Sequence, residues 1–306
     1  MSKRRRIVFM GTSVFAVPVL ERLLAEHDVL LVITQPDRKA GRKQFLTAPP
    51  VKRRALELEL PIYQPETMKS VEALEKVRQL APDLCVVVAY GQLLKKELLE
   101  IPKEGTLNVH ASLLPKYRGA SPIQSAILQG EKETGVSIMF LDEGLDTGPV
   151  IKQASIPIKK DDDYLSLEAK LSLLGAQTLA EVLNQASLTG IPQDDSKASL
   201  CQTISKEHGL LEFKLASAVE LERKIRAFAA WPQTFCFWNA KRIKILKAST
   251  SNETGEPGRV TVENGVLKIA CLQGSLLPQV LQAEGKRAMD AASLLRGYPN
   301  FKDSLL

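Results

Sequence analysis

The sequence predicts an α/β protein in which a doubly wound, mostly parallel sheet is followed by a small β-barrel domain of the OB type. Three observations support this fold. The first half of the chain alternates short apolar runs with helical patterns, which is typical of βαβ units. The last third carries several short strand-like runs separated by turn residues. The 306 residues also exceed the roughly 100–200 of one typical domain, so two domains are expected.

Residues 1–189 are predicted to form the sheet domain. Its strands are predicted at 6–10, 29–34, 84–89, 106–110 and 135–141, and its helices at 15–24, 51–60, 70–80, 123–129 and 164–184. In a sheet of this kind, ligands bind beyond the carboxyl ends of the strands. The loops that follow the strands are therefore where a functional site is expected.

Residues 190–204 are predicted to be a linker, because Gly190 and Pro192 stand among short polar side chains. Residues 205–306 are predicted to form the OB-like domain. It begins with a helical pattern at 218–229 and continues with strands at 234–239, 242–247, 258–262 and 266–272. The pair Asn264-Gly265 predicts a tight turn between the last two strands.

The net charge of +6 is unevenly distributed along the chain. Residues 1–190 carry a net charge of +2, and residues 205–306 carry +5. The stretch from Arg38 to Arg54 also holds seven basic residues and no acidic one. A charged run is by itself most often a solvated surface. A basic loop together with a basic accessory domain favours a nucleic-acid partner.

The sequence favours a cytoplasmic protein. No apolar run approaches the ~20 residues of a membrane span, and the N-terminal basic cluster is not followed by an unbroken apolar stretch. The four cysteines are scattered and form no CxxC pair, which argues against a zinc motif and a disulfide framework. Only three histidines are present, so no metal site is expected. Nothing indicates an obligate protein partner, and a monomer is expected.

The turn after the first strand does not fit a dinucleotide site. Gly11 is followed by Thr12 and Ser13, so one glycine stands where the GxGxxG pattern needs three. No GxSxG nucleophile elbow is present either. Gly11 is better explained as the residue of the strand-to-helix turn.

The predicted strand 106–110 ends with two polar side chains on one face. Residues i and i+2 of a strand point to the same side, so Asn108 and His110 project together and Val109 points to the opposite face. An amide and an imidazole at a strand end can hydrogen bond to one oxygen and move a proton, which are the requirements of acyl transfer. The structural alternative is a pair of polar residues that caps the strand.

A second candidate segment follows the strand 135–141. It contains three carboxylates, Asp142, Glu143 and Asp146, in a loop bent by glycines and a proline. Parallel strand order would bring this loop to the sheet edge at which His110 lies, where a carboxylate could orient the imidazole or relay a proton. Spacing alone does not choose among the three acids, and a solvated turn is the structural alternative.

These residues lie in motifs that resemble a known family. The run NVHASLLPKYRGASPI at 108–123 and the run EGLDTG at 143–148 closely resemble the signature of folate-dependent formyltransferases, which use 10-formyltetrahydrofolate. TQPDR at 34–38, followed by AGR at 40–42, resembles the members of that family that formylate methionyl-tRNA, and this likeness extends over essentially the whole chain.

The resemblance implies a Rossmann-like formyltransferase domain and a role for each motif. Asn108, His110 and Asp146 match the catalytic residues of the family. The tetrahydrofolate-binding stretch corresponds to Ser112, Leu113, Leu114 and Pro115. Basic residues would contact the tRNA; those implied are Arg42, Lys43 and Lys206.

The expected activity is transfer of a formyl group from 10-formyltetrahydrofolate to the α-amino group of initiator methionyl-tRNA. Two alternatives remain at this point. One is a formyltransferase that acts on a small amine such as a sugar nucleotide. The other is a catalytically silent RNA-binding protein with the same fold. The basic regions argue against the first, and the set of Asn108, His110 and Asp146 argues against the second.

Overall fold

The computed structural model describes residues 4–40 and 45–306, which divide into two compact units. The N-terminal unit consists of the described parts of Met1–Pro122, Glu133–Pro157 and Glu168–Cys201. The C-terminal unit consists of Ile123–Lys132, Ile158–Leu167 and Gln202–Leu306. No helix among the described residues has the length and apolar character that a membrane span requires.

The N-terminal unit contains a seven-stranded sheet and a small hairpin. Its strands are β1 Arg6–Gly11, β2 Asp28–Ile33, β3 Arg38–Ala40, β4 Phe45–Thr47, β5 Ile62–Tyr63, β6 Leu84–Val88, β7 Thr106–His110, β8 Glu133–Phe140 and β9 Val150–Pro157. The sheet has the order β5-β2-β1-β6-β7-β8-β9, and β3 pairs with β4 apart from it. The neighbouring strands β5, β2, β1, β6 and β7 are parallel to one another, which confirms the predicted mostly parallel sheet.

The helices between these strands are α1 Val17–Glu26, α2 Pro50–Glu57, α3 Val71–Leu80, α4 Lys96–Leu99 and α5 Pro122–Gln129, and α6 Tyr164–Leu183 follows β9. Central strands β1 and β6 are apolar on both faces because both are buried, as expected of a sheet with helices on its two sides. At Gly175 on α6, a Cβ would lie 2.8 Å from the Cγ1 atom of Val109. This close approach shows that Val109 points to the face of the sheet against which α6 packs.

One expectation about the sheet is wrong. Strand β8 runs antiparallel to β7, with Ser137 opposite His110 and Phe140 opposite Leu107. Its carboxyl end is therefore not at the edge where β7 ends. The only helix between the two strands, α5, has eight residues and spans about 12 Å, whereas an eight-residue strand such as β8 spans about 26 Å. So short a helix does not return the chain to the opposite edge of the sheet.

The C-terminal unit contains an antiparallel sheet that curls into a half-barrel, in agreement with the predicted OB-like domain. Its strands are β10 Phe235–Trp238, β11 Lys241–Ser251, β12 Val260–Glu263, β13 Val266–Ala270, β14 Ser275–Ala283 and β15 Met289–Asp290, and its further helices are α7 Ala218–Ala227 and α8 Ala291–Gly297. The order is β10-β11-β14-β13-β12, with β15 on β14. Asn264 and Gly265 have φ angles of 50° and 78°, as the predicted tight turn requires.

Candidate active site

Asn108 and His110 lie on the carboxyl half of β7, in the middle of the N-terminal sheet. They are 9% and 6% exposed, so both polar side chains are nearly removed from water. A buried polar side chain requires hydrogen-bond partners. The partners of these two residues come from the two loops that follow β7 and β8.

Each ring nitrogen of His110 faces an oxygen atom. The Nε2–H group donates to the backbone carbonyl of Tyr117 over 2.9 Å. The Nδ1 atom lies 3.5 Å from Oδ2 of Asp146. Because both neighbours are acceptors, a ring with protons on both nitrogens satisfies both contacts. Each ring nitrogen therefore has an acceptor toward which an N–H group can point.

The Asp146 carboxylate joins the candidate residues to one another. Its Oδ1 accepts from the Asn108 side-chain amide at 3.4 Å, and its Oδ2 accepts from the Gly119 backbone N–H at 2.8 Å. The residues 141–149 that carry it connect β8 to β9. At Gly148 an added Cβ would stand 1.9 Å from the carbonyl oxygen of Phe140, so the loop closes only with glycine there.

The other two acids of this loop lie elsewhere. Oδ1 of Asp142 accepts from the Gly144 backbone N–H at 3.0 Å and from the Thr147 hydroxyl at 2.8 Å, so it stabilises its own turn. Glu143 is exposed. The geometry thus separates the three carboxylates that sequence spacing left equivalent, and brings Asp146 to the β7 residues.

Residues 111–117 form a loop whose backbone is held by serine hydroxyls. Ser112, which is fully buried, donates from Oγ to the Lys116 carbonyl at 2.6 Å. Ser137 on β8 donates to the Ser112 carbonyl at 2.6 Å and accepts from the Leu114 N–H at 3.0 Å. The Leu114-Pro115 peptide is cis, and Leu113 is half-buried. The stretch predicted to bind folate therefore lies next to His110 with a fixed backbone.

The predicted tRNA contacts are differently placed. Arg42 and Lys43 lie outside the described residues. Lys206 is exposed, immediately before a short 3₁₀ turn of the C-terminal unit.

Some of the basic side chains between Arg38 and Arg54 form ion pairs with carboxylates of the N-terminal unit. Lys52 pairs with Asp37 at 2.8 Å, and Arg54 pairs with Glu21 and Glu57. Hydrogen bonds from Gln64 and Lys52 hold the pKa of the Asp37 carboxyl below its usual value. Ion pairs of this kind are what the alternative interpretation of the basic stretch, a solvated surface, predicts.

Sequence reasoning missed a group of contacts made by residues of the predicted linker. The buried Arg118 guanidinium donates to Oε1 of Gln193 at 2.8 and 3.1 Å and to Asp195 at 2.7 Å. The Gln193 amide in turn donates to the backbone carbonyls of Asp146 and Gly148. Nothing in the polar composition of 190–204 signals these contacts, because they join residues far apart in the chain.

Within the described ranges, 4–40 and 45–306, no group of three or more His, Cys, Asp or Glu side chains is arranged to hold a metal ion. The polar chemistry of the site consists of an amide, an imidazole and a carboxylate.

Comparison with known proteins places this geometry in a family. The formyl transferase profile matches residues 5–183, and the profile of the formyl transferase C-terminal domain matches residues 203–299. The chain is 46% identical over 300 residues to methionyl-tRNA formyltransferase of Myxococcus xanthus, which covers 96% of each chain. It is 44% identical over 307 residues to methionyl-tRNA formyltransferase of Pelobacter propionicus, covering 99% of this chain and 96% of that one.

Solved structures share the fold at lower identity. HypX from Aquifex aeolicus in complex with tetrahydrofolic acid has a TM-score of 0.64 at 16% identity, covering 96% of this chain and 47% of its own. An N-formyltransferase from Helicobacter canadensis in complex with folinic acid and dTDP-3-aminofucose has a TM-score of 0.66 at 22% identity, covering 92% and 100%. The two matching domains and the near-complete relatives agree, and the chain belongs to the formyl transferase family, within it to the methionyl-tRNA formyltransferases.

Proposed function

We propose that this protein transfers the formyl group of 10-formyltetrahydrofolate to the α-amino group of initiator methionyl-tRNA, giving N-formylmethionyl-tRNA. The observation that carries the proposal is the convergence of Asn108, His110 and Asp146 at the carboxyl end of β7, with contacts of 3.4 and 3.5 Å between them. The relatives that cover nearly the whole chain support the substrate.

Asn108 and His110 supply hydrogen-bond donors to the reacting oxygen. The methionyl amine, as the free base, attacks the formyl carbon, and the carbonyl oxygen gains negative charge. A side-chain amide has two N–H groups, so Asn108 can donate one to this oxygen while it keeps its contact with Asp146. A doubly protonated His110 donates to the same oxygen from Nδ1, whose contact with Asp146 is long enough at 3.5 Å to be shared, while Nε2 keeps its bond to the Tyr117 carbonyl.

Asp146 has a different role, because its carboxylate accepts rather than donates. It orients the imidazole through the 3.5 Å contact with Nδ1 and accepts a proton, directly or through water, as the amine becomes an amide. The bond from the formyl carbon to the donor nitrogen then breaks, and that nitrogen takes up a proton. Holding both reactants together supplies much of the remaining acceleration.

The folate donor is proposed to bind at Ser112, Leu113, Leu114 and Pro115. This stretch begins two residues after His110, and hydrogen bonds with the Ser137 and Gln153 side chains hold its backbone. Because its backbone is already fixed, this stretch can bind the formyl donor without the entropic cost of ordering a loop.

The tRNA is proposed to bind Arg42, Lys43, Lys206 and the domain at 205–306, which carries a net charge of +5. Phosphate neutralisation dominates such binding, so affinity falls as salt rises. We also propose a monomer in the cytoplasm. Three of the four cysteines, Cys85, Cys236 and Cys271, are buried and free, which is compatible with a reducing compartment.

One assay separates the candidate functions. The purified protein is incubated with 10-formyltetrahydrofolate and either initiator methionyl-tRNA or a dTDP-amino sugar. Formylation of the tRNA alone is expected. Formylation of the amino sugar alone would assign the small-amine activity, and tRNA binding without formylation of either would assign a silent RNA-binding protein.

A further inference from the structure

The segment 191–201 makes hydrogen bonds to both loops that supply acceptors to His110. Its backbone pairs with Val150 through Ile191, at 2.8 and 2.9 Å. Near its other end, the N–H of Cys201 donates to the Arg118 carbonyl at 2.7 Å. Between these two contacts, side chains of the segment bond to the loops 111–117 and 141–149, which supply the acceptors of His110.

Gln193 holds the loop that carries Asp146. Its Nε2 group donates to the Asp146 carbonyl at 2.8 Å and to the Gly148 carbonyl at 2.7 Å. Its Oε1 atom accepts two hydrogen bonds from Arg118, so all the hydrogen-bonding groups of this amide are used. Asp146 has a φ of 52°, in the left-handed region that residues other than glycine rarely adopt. Hydrogen bonds to its own carbonyl help to keep it there.

Ser199 holds the other loop. Its hydroxyl accepts from the Tyr117 N–H at 2.9 Å, and its backbone pairs with Pro115 and Arg118. Tyr117 also lies in the left-handed region, with a φ of 61°. The carbonyl oxygen of Tyr117 is the acceptor for Nε2 of His110. The two oxygens that flank the imidazole thus belong to strained residues held by one segment.

We propose that Gln193 and Ser199 are positioning residues, which set the His110 ring by fixing the Asp146 carboxylate on one side and the Tyr117 carbonyl on the other. This inference rests on the proposed catalytic role of His110 and Asp146. It gives the polar segment after residue 190 a part in formyl transfer besides joining the two domains of the chain.

An isosteric substitution tests the donor role of Gln193. In Gln193→Glu the carboxylate keeps the size of the side chain and pairs well with Arg118, but it has no N–H for the two loop carbonyls. A residue needed only for packing tolerates this change. A residue needed to hold the Asp146 backbone does not.

The experiment measures steady-state kinetics of tRNA formylation and the ring ¹⁵N chemical shifts of His110. Only three histidines are present in the chain, so their signals can be assigned by substitution. Gln193→Glu is expected to lower kcat about 10- to 100-fold, with KM for both substrates little changed, because small displacements of reacting groups are costly. Ser199→Ala is expected to lower kcat about 3- to 10-fold. Both are expected to move the His110 shifts.

Matched controls lie nearby. Gln185→Glu makes the same chemical change at an exposed site of the same unit, and Ser196→Ala makes the same change within the segment, where the hydroxyl contacts only the Asp194 side chain. Neither control is expected to change kcat or the His110 shifts.

The inference is overturned if Gln193→Glu keeps the kcat and the His110 shifts of the unmodified protein. Should that variant not fold, unchanged kcat and shifts in Ser199→Ala have the same meaning. Loss confined to KM also overturns it, since the segment would then serve binding alone. The proposed function fails separately, if the unmodified protein does not formylate methionyl-tRNA, and the proposed catalytic roles fail if His110→Ala and Asp146→Asn remain fully active.

Discussion

His110 and Asp146 face each other across 3.5 Å, from ring Nδ1 to carboxylate Oδ2, although one ends a central strand and the other lies in a loop between two antiparallel strands. The same carboxylate oxygen accepts the Gly119 N–H at 2.8 Å. A backbone donor therefore fixes the oxygen that faces the ring. The pair is preorganised before any substrate binds, and preorganised charge is the most effective kind for stabilising a transition state.

His110→Ala is expected to reduce formylation of methionyl-tRNA by about 10²- to 10⁴-fold, the usual contribution of a general acid or base. The substitution removes both ring nitrogens, including the Nδ1 atom that faces the Asp146 carboxylate. Turnover under saturating substrates is the measurement, with circular dichroism as the test of folding. His208→Ala, in the C-terminal unit, is the control and is expected to retain activity. Near-normal turnover of a folded His110→Ala protein would remove this residue from the mechanism.

Asp146→Asn is expected to lower kcat by about 10²-fold or more, since it removes the charge that accepts a proton while keeping the size of the side chain. It also places an amide next to the Asn108 amide, donor against donor. Asp142→Asn makes the same change in the same loop, where the carboxylate holds only its own turn. Single-turnover rates for the two variants are compared. Equal effects would mean that charge anywhere in the loop suffices.

The pair Asn108 and His110 was predictable from the sequence, because strand alternation puts both on one face. Asp146 was not, since that choice depends on the path of a loop. The expectation of parallel order at β8 reached the correct edge for a wrong reason: residues 141–149 leave an antiparallel strand and fold back along β7. The contacts of Gln193 could not be predicted either, because the polar composition of residues 190–204 indicates only a connecting segment.

The central position of β14 in the C-terminal sheet was also missed, and Pro278 explains why. A proline within an apolar run argues against a strand, because it has no N–H for the ladder. In the structure Pro278 pairs with Ala248, next to an irregularity in the register between Lys247 and Ala248. The strand tolerates proline at this position because the regular ladder is already interrupted.

Arg42→Ala is expected to raise KM for methionyl-tRNA and to leave donor binding unchanged. The arginine belongs to the basic stretch that is proposed to contact phosphates, and each lost contact also lowers the salt dependence of binding. KM is measured for both substrates at several salt concentrations. Lys103→Ala, which removes an exposed lysine that pairs with Asp83, is the control. Equal loss for tRNA and donor would assign the loop a structural role instead.

Gly135→Ala is expected to destabilise the protein by about 1–3 kcal/mol, as overpacking does. Its Cβ would lie 2.1 Å from the Ala154 carbonyl oxygen on β9 and 2.6 Å from Leu113 Cδ2. Because Leu113 belongs to the proposed folate-binding stretch, KM for the donor is expected to rise as well. Urea denaturation and donor titration are the measurements. Gly297→Ala, where nothing lies within 4 Å, is the control. Unchanged stability would show that β9 moves aside without a loss of folding free energy.

The free energy of unfolding is expected to fall as the pH is lowered below about 6.5, because of His27. This side chain is 2% exposed; its Nδ1 accepts from the Arg5 N–H at 3.4 Å, and its Nε2 has no partner among the described residues. Burial, and then the nearby Arg5 charge, lower the pKa of His27, with Arg4 acting in the same direction and Glu26 and Asp28 opposing.

The unfolded chain therefore binds a proton on His27 at a higher pH than the folded chain does. The stabilisation is complete above pH of about 6.5 and is lost as the pH falls through the folded-state pKa, with a slope of at most about 1.4 kcal/mol per pH unit. Urea denaturation between pH 7.5 and 5 measures it. His27→Gln is expected to remove this part of the pH dependence, whereas His208→Gln keeps it. Identical pH profiles for His27→Gln and the unmodified protein would show that the loss at acid pH arises at other groups.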